Sequence, residues 1–278
     1  MTVSVKQLLA EWNLRPKHHF GQNFLNSPEL TDKIARQLVQ SEGGTAIEIG
    51  AGLGALTSSL LNHATRVIAI ERDRELLPVL QQIFAQPVAE GQLVLLEADA
   101  KTADYRQLFE GATEPRLLTG NLPYQLTGPL LRRAVELSDV IRRAVFMVQL
   151  EVADRLCAQP NQSEYGALTV FVQACFSVRR AFVVGKGSFY PQPRIDSAIV
   201  ELTPLQPRIS DETPLFRELV QRAFQQRRKM LRNAWSGVPA VSQVELQQAA
   251  TRAGINLDAR GETLSVHEFS RMAVELAS

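Results

Sequence analysis

The sequence predicts an α/β fold in which helices cover both faces of a largely parallel sheet, followed by a small C-terminal all-α domain. Short apolar runs alternate with helical stretches, and the first four runs each end at Gly, Asp, Glu or Asn. Such alternation is typical of parallel strands joined by crossover helices. Strand signals stop at the proline-containing segment 203–207. We therefore expect one domain over residues 1–205 and a helical domain over residues 206–278.

The apolar pattern assigns the elements in chain order. Residues 1–25 show no clear periodic element, and a helix is predicted at about residues 28–41, where Leu30, Ile34 and Leu38 recur at helical spacing. A further helix is predicted over residues 53–61. Buried strands are predicted at residues 45–50, 66–71, 93–99, 116–121, 144–150, 168–184 and 197–202. Residues 211–278 lack strand signals and are expected to be helical.

The composition disfavours several classes of protein. With 278 residues, of which 45% are hydrophobic, the chain can bury a full core, yet it has no apolar run long enough to span a bilayer. Its first residues lack the pattern of a signal peptide, so we expect a cytoplasmic protein without membrane association. We also expect a monomer. Cys157 and Cys175 lack metal-ligand spacing and histidines are few, so reduced thiols and no bound metal are expected.

Positive charge is clustered rather than abundant. The formal net charge is only +1, so the chain as a whole lacks the charge typical of a nucleic-acid binder. A single basic pair is usually part of a solvated face, whereas several pairs on one surface would bind phosphates. The sequence alone does not show whether the clusters share a surface. They lie at residues 132–133, 142–143, 179–180 and 227–229.

A glycine-rich segment, Glu48–Gly54, closes the first predicted strand and opens a helix. Gly50 and Gly52 let the backbone approach a ligand closely, which indicates a nucleotide-binding loop rather than an ordinary tight turn. The dinucleotide fingerprint has a glycine where Ala55 stands here. An acidic residue before the first glycine is typical of methyltransferases. The segment therefore favours S-adenosylmethionine over a nicotinamide dinucleotide, which stays as the alternative.

Two carboxylates end the next two predicted strands. Glu71 can accept hydrogen bonds from the ribose hydroxyls of either nucleotide, and Asp99 can accept one from the amino group of the cofactor's adenine. Either residue alone would be compatible with a solvated strand end. The carboxyl ends of parallel strands, however, meet at the edge where open α/β sheets bind ligands. We therefore expect both residues in the cofactor site.

The tetrapeptide Asn121–Tyr124 ends the fourth predicted strand and indicates the reaction. Two hydrogen-bond acceptors beside an exocyclic purine amine can free its lone pair from the ring for attack on a sulfonium methyl. The Asn121 side-chain oxygen and the Leu122 carbonyl are suitable acceptors. Pro123 fixes the local φ angle, and Tyr124 offers a flat face for the base. No strong general base is needed, so positioning and electrostatics would supply most of the catalysis.

These motifs resemble those of the ribosomal RNA adenine N6-dimethyltransferases, in particular the KsgA-type enzymes of the small subunit. The resemblance covers nearly the whole chain because several motifs occur in the family's order. It implies a Rossmann-like class I methyltransferase sheet that binds S-adenosylmethionine in residues 1–205, and an RNA-binding helical domain in residues 206–278. The matching segments are residues 20–25, 48–54, 121–124, 149–155, 165–170, 189–197 and 224–233.

The resemblance also implies roles for individual residues. Phe189 would stack on the target adenine opposite Tyr124, next to Asn121, Leu122 and Pro123. The residues that border the cofactor would be Asn23, Leu25, Gly50, Gly52, Glu71, Asp99 and Asn121. The residues that contact ribosomal RNA would be Arg227, Arg228, Lys229 and Arg232. The three arginines among them spread over more than one side of a helix, so at least one of these arginines is expected to pack or pair internally.

The chain departs from the family pattern at two places. Ala51 stands where many relatives have proline, and Ala98 precedes Asp99 where a glycine is common. The aspartate itself is kept. We therefore expect cofactor binding to survive, with a less rigid loop.

By resemblance, the expected reaction is N6,N6-dimethylation of two adjacent adenosines in the 3′-terminal hairpin loop of 16S ribosomal RNA, on a pre-assembled small subunit. One alternative is a macrolide-resistance type of enzyme that acts on large-subunit 23S RNA. Leu122 in place of isoleucine and the full C-terminal domain disfavour it. The other alternative is a non-catalytic assembly or transcription factor on the same fold, which the intact Asn121–Tyr124 turn disfavours.

Overall fold

The computed structural model describes residues 4–17, 20–41, 43–239 and 241–278. The strands in these ranges are β1 (Phe24–Leu25), β2 (Thr45–Ile49), β3 (Arg66–Glu71), β4 (Leu93–Glu97), β5 (Arg116–Asn121), β6 (Arg143–Gln149), β7 (Phe176–Val184), β8 (Phe189–Tyr190) and β9 (Ser197–Pro204). The helices are α1 (Val5–Glu11), α2 (Pro28–Val39), α3 (Ala55–Leu61), α4 (Leu77–Ile83), α5 (Ala85–Ala89), α6 (Tyr105–Leu108), α7 (Thr127–Glu136), α8 (Leu150–Cys157), α9 (Ala167–Cys175), α10 (Pro214–Gln225), α11 (Leu231–Ala234), α12 (Gln243–Ala253) and α13 (Val266–Ala277).

Seven strands form one sheet in the order β4-β3-β2-β5-β6-β9-β7. Strands β2 to β6 run parallel to one another, whereas β9 pairs antiparallel with β6. The strand order reverses between β2 and β5, and in open α/β sheets this reversal leaves a ligand-binding crevice at the carboxyl ends of the strands. Strands β1 and β8 form a separate antiparallel pair. The predicted Rossmann-like α/β sheet is confirmed.

The central strands are apolar because both faces of the sheet are buried. Every residue of β2 is buried, and β3 is exposed only at Arg66. Helix α2 packs Ile34 and Leu38 into the same apolar cluster as Val67 of β3 and Leu117 of β5. Burial on both faces is typical of parallel sheets, and it fixes the strand ends that carry the polar residues described below.

The chain divides into two compact units. The sheet unit comprises residues 1–153 and 179–203, and the helical unit comprises residues 154–178 and 204–278. Within the helical unit, the Tyr165 hydroxyl donates to the Leu264 carbonyl at 2.9 Å, and the Leu205 amide donates to the Cys175 carbonyl at 2.8 Å. Residues 154–178 are thereby tied to the C-terminal helices. The compact units do not divide at residue 205, and the functional division into 1–205 and 206–278 stays a prediction.

One predicted strand is wrong over half its length. Residues 168–175 belong to helix α9, and β7 begins only at Phe176. Most of α9 is buried, including the consecutive residues Val170, Phe171 and Val172. A mostly buried segment with few polar residues shows no clear 3.6-residue period, so its pattern does not distinguish a buried helix from a buried strand.

The N-terminal 25 residues contain two short elements that the apolar pattern does not indicate. Helix α1 has only seven residues, too few to show a period, and it begins with a capping box between Ser4 and Gln7. Strand β1 exists because it pairs with β8, where Phe24 lies opposite Tyr190. Such a long-range pairing has no local sequence signal.

Most of the basic pairs in the sheet unit serve the fold. Arg143 is 7% exposed and donates to the Leu38 carbonyl at 2.9 Å. Arg179 pairs with Glu201 at 2.7 Å, and Arg133 donates to a backbone carbonyl at 2.8 Å. These arginines are bound to protein groups, although the Arg179 side chain is still 61% exposed.

Three further findings concern only the part of the chain that the structure describes. No helix there is long and apolar enough to cross a membrane. No group of three or more His, Cys, Asp and Glu side chains there is arranged to hold a metal ion. Cys157 and Cys175 are free thiols.

Candidate active site

A cavity of about 710 Å³ opens at the carboxyl edge of the sheet, at the reversal between β2 and β5. Its size lies within the range of about 300–1,000 Å³ that is typical of small-molecule sites. The wall is built by the ends of β2, β3 and β5 and by the N-terminal residues 20–25. The cavity brings together these predicted site residues: Asn23, Leu25, Gly50, Gly52, Glu71, Asp99, Asn121, Pro123 and Tyr124.

The glycine loop after β2 leaves room for a ligand. Gly50 and Gly52 have φ angles of 75° and 59°, which favour glycine. A Cβ on Gly50 would meet no atom within 4 Å, whereas a Cβ on Gly52 would approach the Phe24 ring at 3.1 Å. Both glycines line the cavity. The loop therefore offers ligand atoms the space that a side chain would otherwise fill.

Glu48 lines the buried floor of the cavity. It is 1% exposed, and the Thr57 hydroxyl donates to its Oε2 at 2.6 Å. Burial raises the pKa of Glu48 to about 8; the Thr57 hydrogen bond opposes this rise and the nearby Glu71 adds to it. Glu48 is therefore largely neutral at pH 7.

Glu71 is held by three backbone amides. Its Oε1 accepts from the amides of Arg72 and Asp73, and its Oε2 accepts from the Gly52 amide, each at 2.8 Å. A carboxylate has about four acceptor positions, so one position on Oε2 remains for a ribose hydroxyl. A second hydroxyl would have to share Oε2. Burial raises the pKa of Glu71, and the amide hydrogen bonds oppose that rise.

Asp99 lines the cavity beyond the end of β4 and lies close to two cations. Arg72 Nη1 and Lys101 Nζ lie 3.2 Å and 3.8 Å from Asp99 Oδ2. The guanidinium of Arg72 also lies 5.6 Å from the centre of the Phe20 ring. Phe20, Arg72 and Asp99 all line the cavity. The carboxylate is thus held at the cavity wall with its charge compensated.

The turn after β5 forms another wall of the cavity. Asn121 Nδ2 donates to the Asn23 carbonyl at 3.0 Å, which leaves Oδ1 as the acceptor that no described group occupies. Pro123 has a φ angle of −56° and lines the cavity. Tyr124 lines it as well, and its buried hydroxyl finds no hydrogen-bond partner among the described residues. The turn therefore presents a free acceptor and an aromatic ring to one space.

Two predicted residues do not line the cavity. Leu122 is 1% exposed and its amide donates to the Met147 carbonyl at 3.0 Å, so its side chain belongs to the core. Phe189 is 4% exposed and packs in the apolar cluster, opposite Leu25 in the β1–β8 pair. Stacking on a base would require the Phe189 ring to turn out of this packing. That role of Phe189 stays a prediction.

The predicted RNA-binding residues differ in their surroundings within the helical unit. Arg227 donates to two backbone carbonyls at 2.9 and 3.1 Å, and Arg232 forms an ion pair with Asp258. The side chains of Arg228 and Lys229 are exposed and pair with no described residue. This agrees with the expectation that at least one of the three arginines pairs internally, and it leaves Arg228 and Lys229 without a partner among the described residues.

The cavity region contains residues that the sequence reasoning does not single out. Asp73 accepts hydrogen bonds from Lys17 and Gln22, which are 56 and 51 residues away in the chain. No sequence spacing indicates such contacts. Arg194 lines the cavity with an exposed side chain. It lies inside a segment that resembles the family, but nothing about its residue type distinguishes it from other surface arginines.

The site fits S-adenosylmethionine. The space beside Gly50 is open, Glu71 Oε2 has a remaining acceptor position that could take a ribose hydroxyl, and the Asp99 carboxylate at the wall could accept from an adenine amino group. The fold and the site together define a class I methyltransferase that uses this cofactor.

Residues 13–278 match the family model described as ribosomal RNA adenine dimethylase, and the chain belongs to this family. The ribosomal RNA small subunit methyltransferase A of Anaeromyxobacter sp. (strain K) is 38% identical over 278 residues, covering 97% of this chain and 96% of that protein.

Two solved structures show the same fold. A dimethyladenosine transferase from Plasmodium falciparum aligns with a TM-score of 0.74 and 24% identity, over 91% of this chain and 97% of that one. The 23S rRNA methyltransferase ErmE aligns with a TM-score of 0.66 and 22% identity, over 92% of this chain and 100% of that one.

Proposed function

We propose that the chain dimethylates the N6 amines of two adjacent adenosines in the 3′-terminal hairpin loop of 16S ribosomal RNA, within the small ribosomal subunit. The observation that carries this proposal is the free acceptor Oδ1 of Asn121 beside Tyr124, on the wall of a cavity that also contains the cofactor residues. The name of the relative that is 38% identical supports the small subunit as the substrate.

The turn after β5 positions the base. The adenine leaves its stack and enters the cavity, where the Tyr124 ring supports it. Asn121 Oδ1 and the Leu122 carbonyl accept the two hydrogens of the N6 amine. These two hydrogen bonds draw the hydrogens out of the ring plane and free the nitrogen lone pair. Because the acceptors are fixed before the base arrives, little reorganisation is needed in the transition state.

The methyl transfer needs no basic side chain. When bound, the cofactor supplies a sulfonium methyl, to which the amine lone pair forms a new N–C bond while the C–S electrons return to sulfur. The product ammonium is acidic and loses its proton to water. Glu48 on the cavity floor cannot accept this proton at pH 7, because burial raises its pKa to about 8 and its carboxyl is therefore already protonated.

Glu71 is the principal ribose-binding group in this proposal. Replacing Glu71 by glutamine turns one acceptor oxygen into a donor that faces backbone amides. We expect this variant to bind the cofactor about 10- to 100-fold more weakly, because the ribose hydroxyl loses its acceptor at Oε2 and an unmade bond of this kind costs about 1–3 kcal/mol. Calorimetric titration with S-adenosylhomocysteine measures the change. An unchanged affinity for S-adenosylhomocysteine would contradict the proposal that Glu71 binds the ribose.

RNA docking relies on phosphate contacts, which position a nucleic acid without reading its sequence. Arg228 and Lys229 supply free exposed cations in the helical unit, and Arg194 supplies one at the cavity. Arg227 and Arg232 act indirectly, because both are bound to protein groups. Phe189 joins Tyr124 around the base only if its ring leaves the core.

We also propose that the chain acts as a monomer in the cytoplasm, where small ribosomal subunits are assembled. One catalytic cavity lies wholly within the sheet unit, lined by residues from the ranges 1–153 and 179–203. The cavity therefore needs no residue from a second copy. Sedimentation of the free chain measures its oligomeric state.

The experiment that tests the proposed function is methyl transfer to ribosomal subunits from cells that lack this modification. Purified chain is incubated with methyl-labelled cofactor and either small or large subunits. We expect label in the small subunit, on two adjacent adenosines. Label confined to the large subunit would support the macrolide-resistance type of enzyme. Binding of cofactor and small subunit without any transfer would support a non-catalytic factor.

A further inference from the structure

A short N-terminal segment crosses the cavity and is attached to three parts of the sheet unit. We call it the N-terminal strap and define it as Lys17 and residues 20–26. Residues 20–25 line the cavity. At its far end, the strap pairs with β8, and the Asn26 amide donates to the Ser188 carbonyl at 3.1 Å. In its middle, the Asn23 carbonyl accepts from Asn121.

The near end of the strap is held mainly by the buried carboxylate of Asp73, and Lys17 Nζ also pairs with Glu75 Oε2 at 3.0 Å. Asp73 is 3% exposed; its Oδ1 accepts from Lys17 Nζ at 2.7 Å and its Oδ2 accepts from Gln22 Nε2 at 2.8 Å. The Lys17 amide in turn donates to Gln22 Oε1 at 2.8 Å. The three residues form a closed network in which both carboxylate oxygens are used. Charge-assisted hydrogen bonds of this kind are about twice as strong as neutral ones.

The same carboxylate residue also touches the cofactor side of the cavity. The Asp73 amide donates to Glu71 Oε1 at 2.8 Å. Asp73 is therefore connected through its backbone to the ribose-binding residue and through its side chain to the strap. The strap carbonyl of Asn23 fixes the amide of Asn121. These contacts form a continuous path from the cofactor loop to the acceptor for the target amine.

We propose that Asp73 is a positioning residue for methyl transfer. It anchors the strap so that the Asn23 carbonyl holds the Asn121 amide with Oδ1 directed at the substrate amine. This inference rests on the proposed function of Asn121 and extends it to a residue that lines no part of the cavity. Loss of the anchor leaves Asn121 in place but lets its amide rotate, which presents a donor instead of an acceptor.

The test compares Asp73→Asn with the wild-type chain in single-turnover methyl transfer at saturating cofactor and small subunit. The substitution keeps the size of the side chain but removes its charge and turns one acceptor into a donor. We expect the transfer rate to fall about 10- to 100-fold, with the dissociation constant for S-adenosylhomocysteine changed less than about threefold. The control is Arg74→Gln in the same loop, whose ion pair with Glu97 does not touch the strap; its rate should be unchanged.

Hydrogen exchange gives a readout that does not depend on catalysis. We expect the amides of the strap, including Gln22 and Asn26, to exchange about tenfold faster in Asp73→Asn, while β2 amides keep their wild-type rates. If wild-type chain methylated neither subunit, the proposed function would fail, and the exchange rates would still decide whether Asp73 anchors the strap. Wild-type strap exchange in a folded Asp73→Asn chain would overturn the inference, as would a normal transfer rate.

Lys17→Met is the second variant, because it removes the ammonium that pairs with Asp73 and Glu75 but leaves the Asp73 carboxylate and its bond to Gln22 in place. We expect a smaller fall in rate than in Asp73→Asn, and no additional fall when the two substitutions are combined. A loss in Lys17→Met that simply adds to that of Asp73→Asn would show that the two residues act separately. A rate loss in either variant matched by an equal loss of cofactor affinity would also contradict the positioning role.

Discussion

Among the residues that the structure describes, the Asn121 side chain makes one hydrogen bond, and that bond determines what the residue can offer a substrate. Its Nδ2 donates to a backbone carbonyl, so Oδ1 is left as an acceptor. Glu71 is fixed in a comparable way, by three backbone amides. Backbone groups cannot be displaced by a rotamer change, so both side chains are oriented before any ligand binds.

Removal of the Asn121 acceptor should slow chemistry rather than binding. We expect Asn121→Ala to lower the single-turnover rate by about 100- to 1,000-fold, the range seen when one group that stabilises developing charge is removed. Affinity for the small subunit should stay within about threefold, because the phosphate contacts are elsewhere. The control is Asn62→Ala at the end of α3, which does not line the cavity. Near-normal turnover of Asn121→Ala would contradict the acceptor role.

Glu48 makes stability depend on pH. Its pKa in the folded chain, about 8, lies above the ordinary value of 4.5. Between these values the folded chain binds more protons than the unfolded chain, so this contribution to stability is complete below pH 4.5 and is lost as the pH rises through about 8. Glu48→Gln removes the titration. We expect the Tm of wild type to fall relative to that of Glu48→Gln by at least about 3 °C between about pH 5 and pH 9.

Thermal unfolding of the two chains over that pH range provides the measurement. Glu71 is present in both chains, so its own titration cancels in the comparison except for its electrostatic interaction with Glu48. Parallel curves of Tm against pH would show that Glu48 titrates normally in the folded chain.

At the scale of elements, the close approach of β2 and β5 shapes the site. A Cβ on Gly120, the residue before Asn121, would lie 2.5 Å from the Ile49 carbonyl oxygen. A backbone atom cannot yield as a flexible side chain can, so only glycine lets the two strands lie this close. The register places Ile49 directly opposite Gly120. The glycine loop and the reactive turn therefore start from neighbouring positions.

Gly120→Ala should push these two strands apart. We expect a loss of about 2 kcal/mol in the free energy of unfolding, the usual cost of overpacking, together with a clear fall in methyl transfer. The matched control is Gly128→Ala in α7, where a Cβ would meet nothing within 4 Å. That variant should be unchanged or more stable by about 0.5–1 kcal/mol. Denaturant titration measures the free energy of unfolding of both variants. Equal stabilities would contradict the claim that β2 and β5 leave no room for a Cβ at Gly120.

The elements that can be predicted from the sequence are those with a local pattern of apolar and polar residues. The strands that carry Glu71 and Asn121 end where the sequence predicts, because burial on both faces makes each a continuous apolar run bounded by a polar residue. Elements and contacts that depend on residues far away in the chain cannot be predicted in this way. Strand β1 depends on β8, and the anchor at Asp73 depends on residues more than 50 positions away. Helix α9 has few polar residues and is mostly buried, so its helical period is not visible in the sequence.

At the scale of the whole molecule, free positive charge is confined to a few exposed residues. The net charge is +1, and several arginines of the basic pairs form hydrogen bonds or ion pairs with other groups of the protein. Sequence alone does not separate bound from free arginines, since both have the same residue type. The structure leaves Arg228 and Lys229 without partners among the described residues of the helical unit. Attraction for RNA is expected to depend on these few groups.

The double variant Arg228→Ala, Lys229→Ala should weaken small-subunit binding and make it less sensitive to salt. Each lost phosphate contact lowers the slope of log affinity against log salt by about 0.7–0.9, so a decrease of about 1.5 is expected. The transfer rate at saturating subunit and the Tm should be unchanged. Arg252→Ala serves as the control, because Arg252 is already paired with Glu275 at 2.6 Å. An unaltered salt slope in the double variant would contradict RNA contact by these residues.

The most direct test of the central claim is an electron-microscopy structure of the chain bound to S-adenosylhomocysteine and an unmodified small subunit. We predict a target adenine turned out of its helix into the cavity. Its N6 should lie about 3 Å from both Asn121 Oδ1 and the Leu122 carbonyl, on the side that faces the cofactor sulfur. An adenine that remains stacked in the RNA, or that enters with N6 directed away from this turn, would contradict the account.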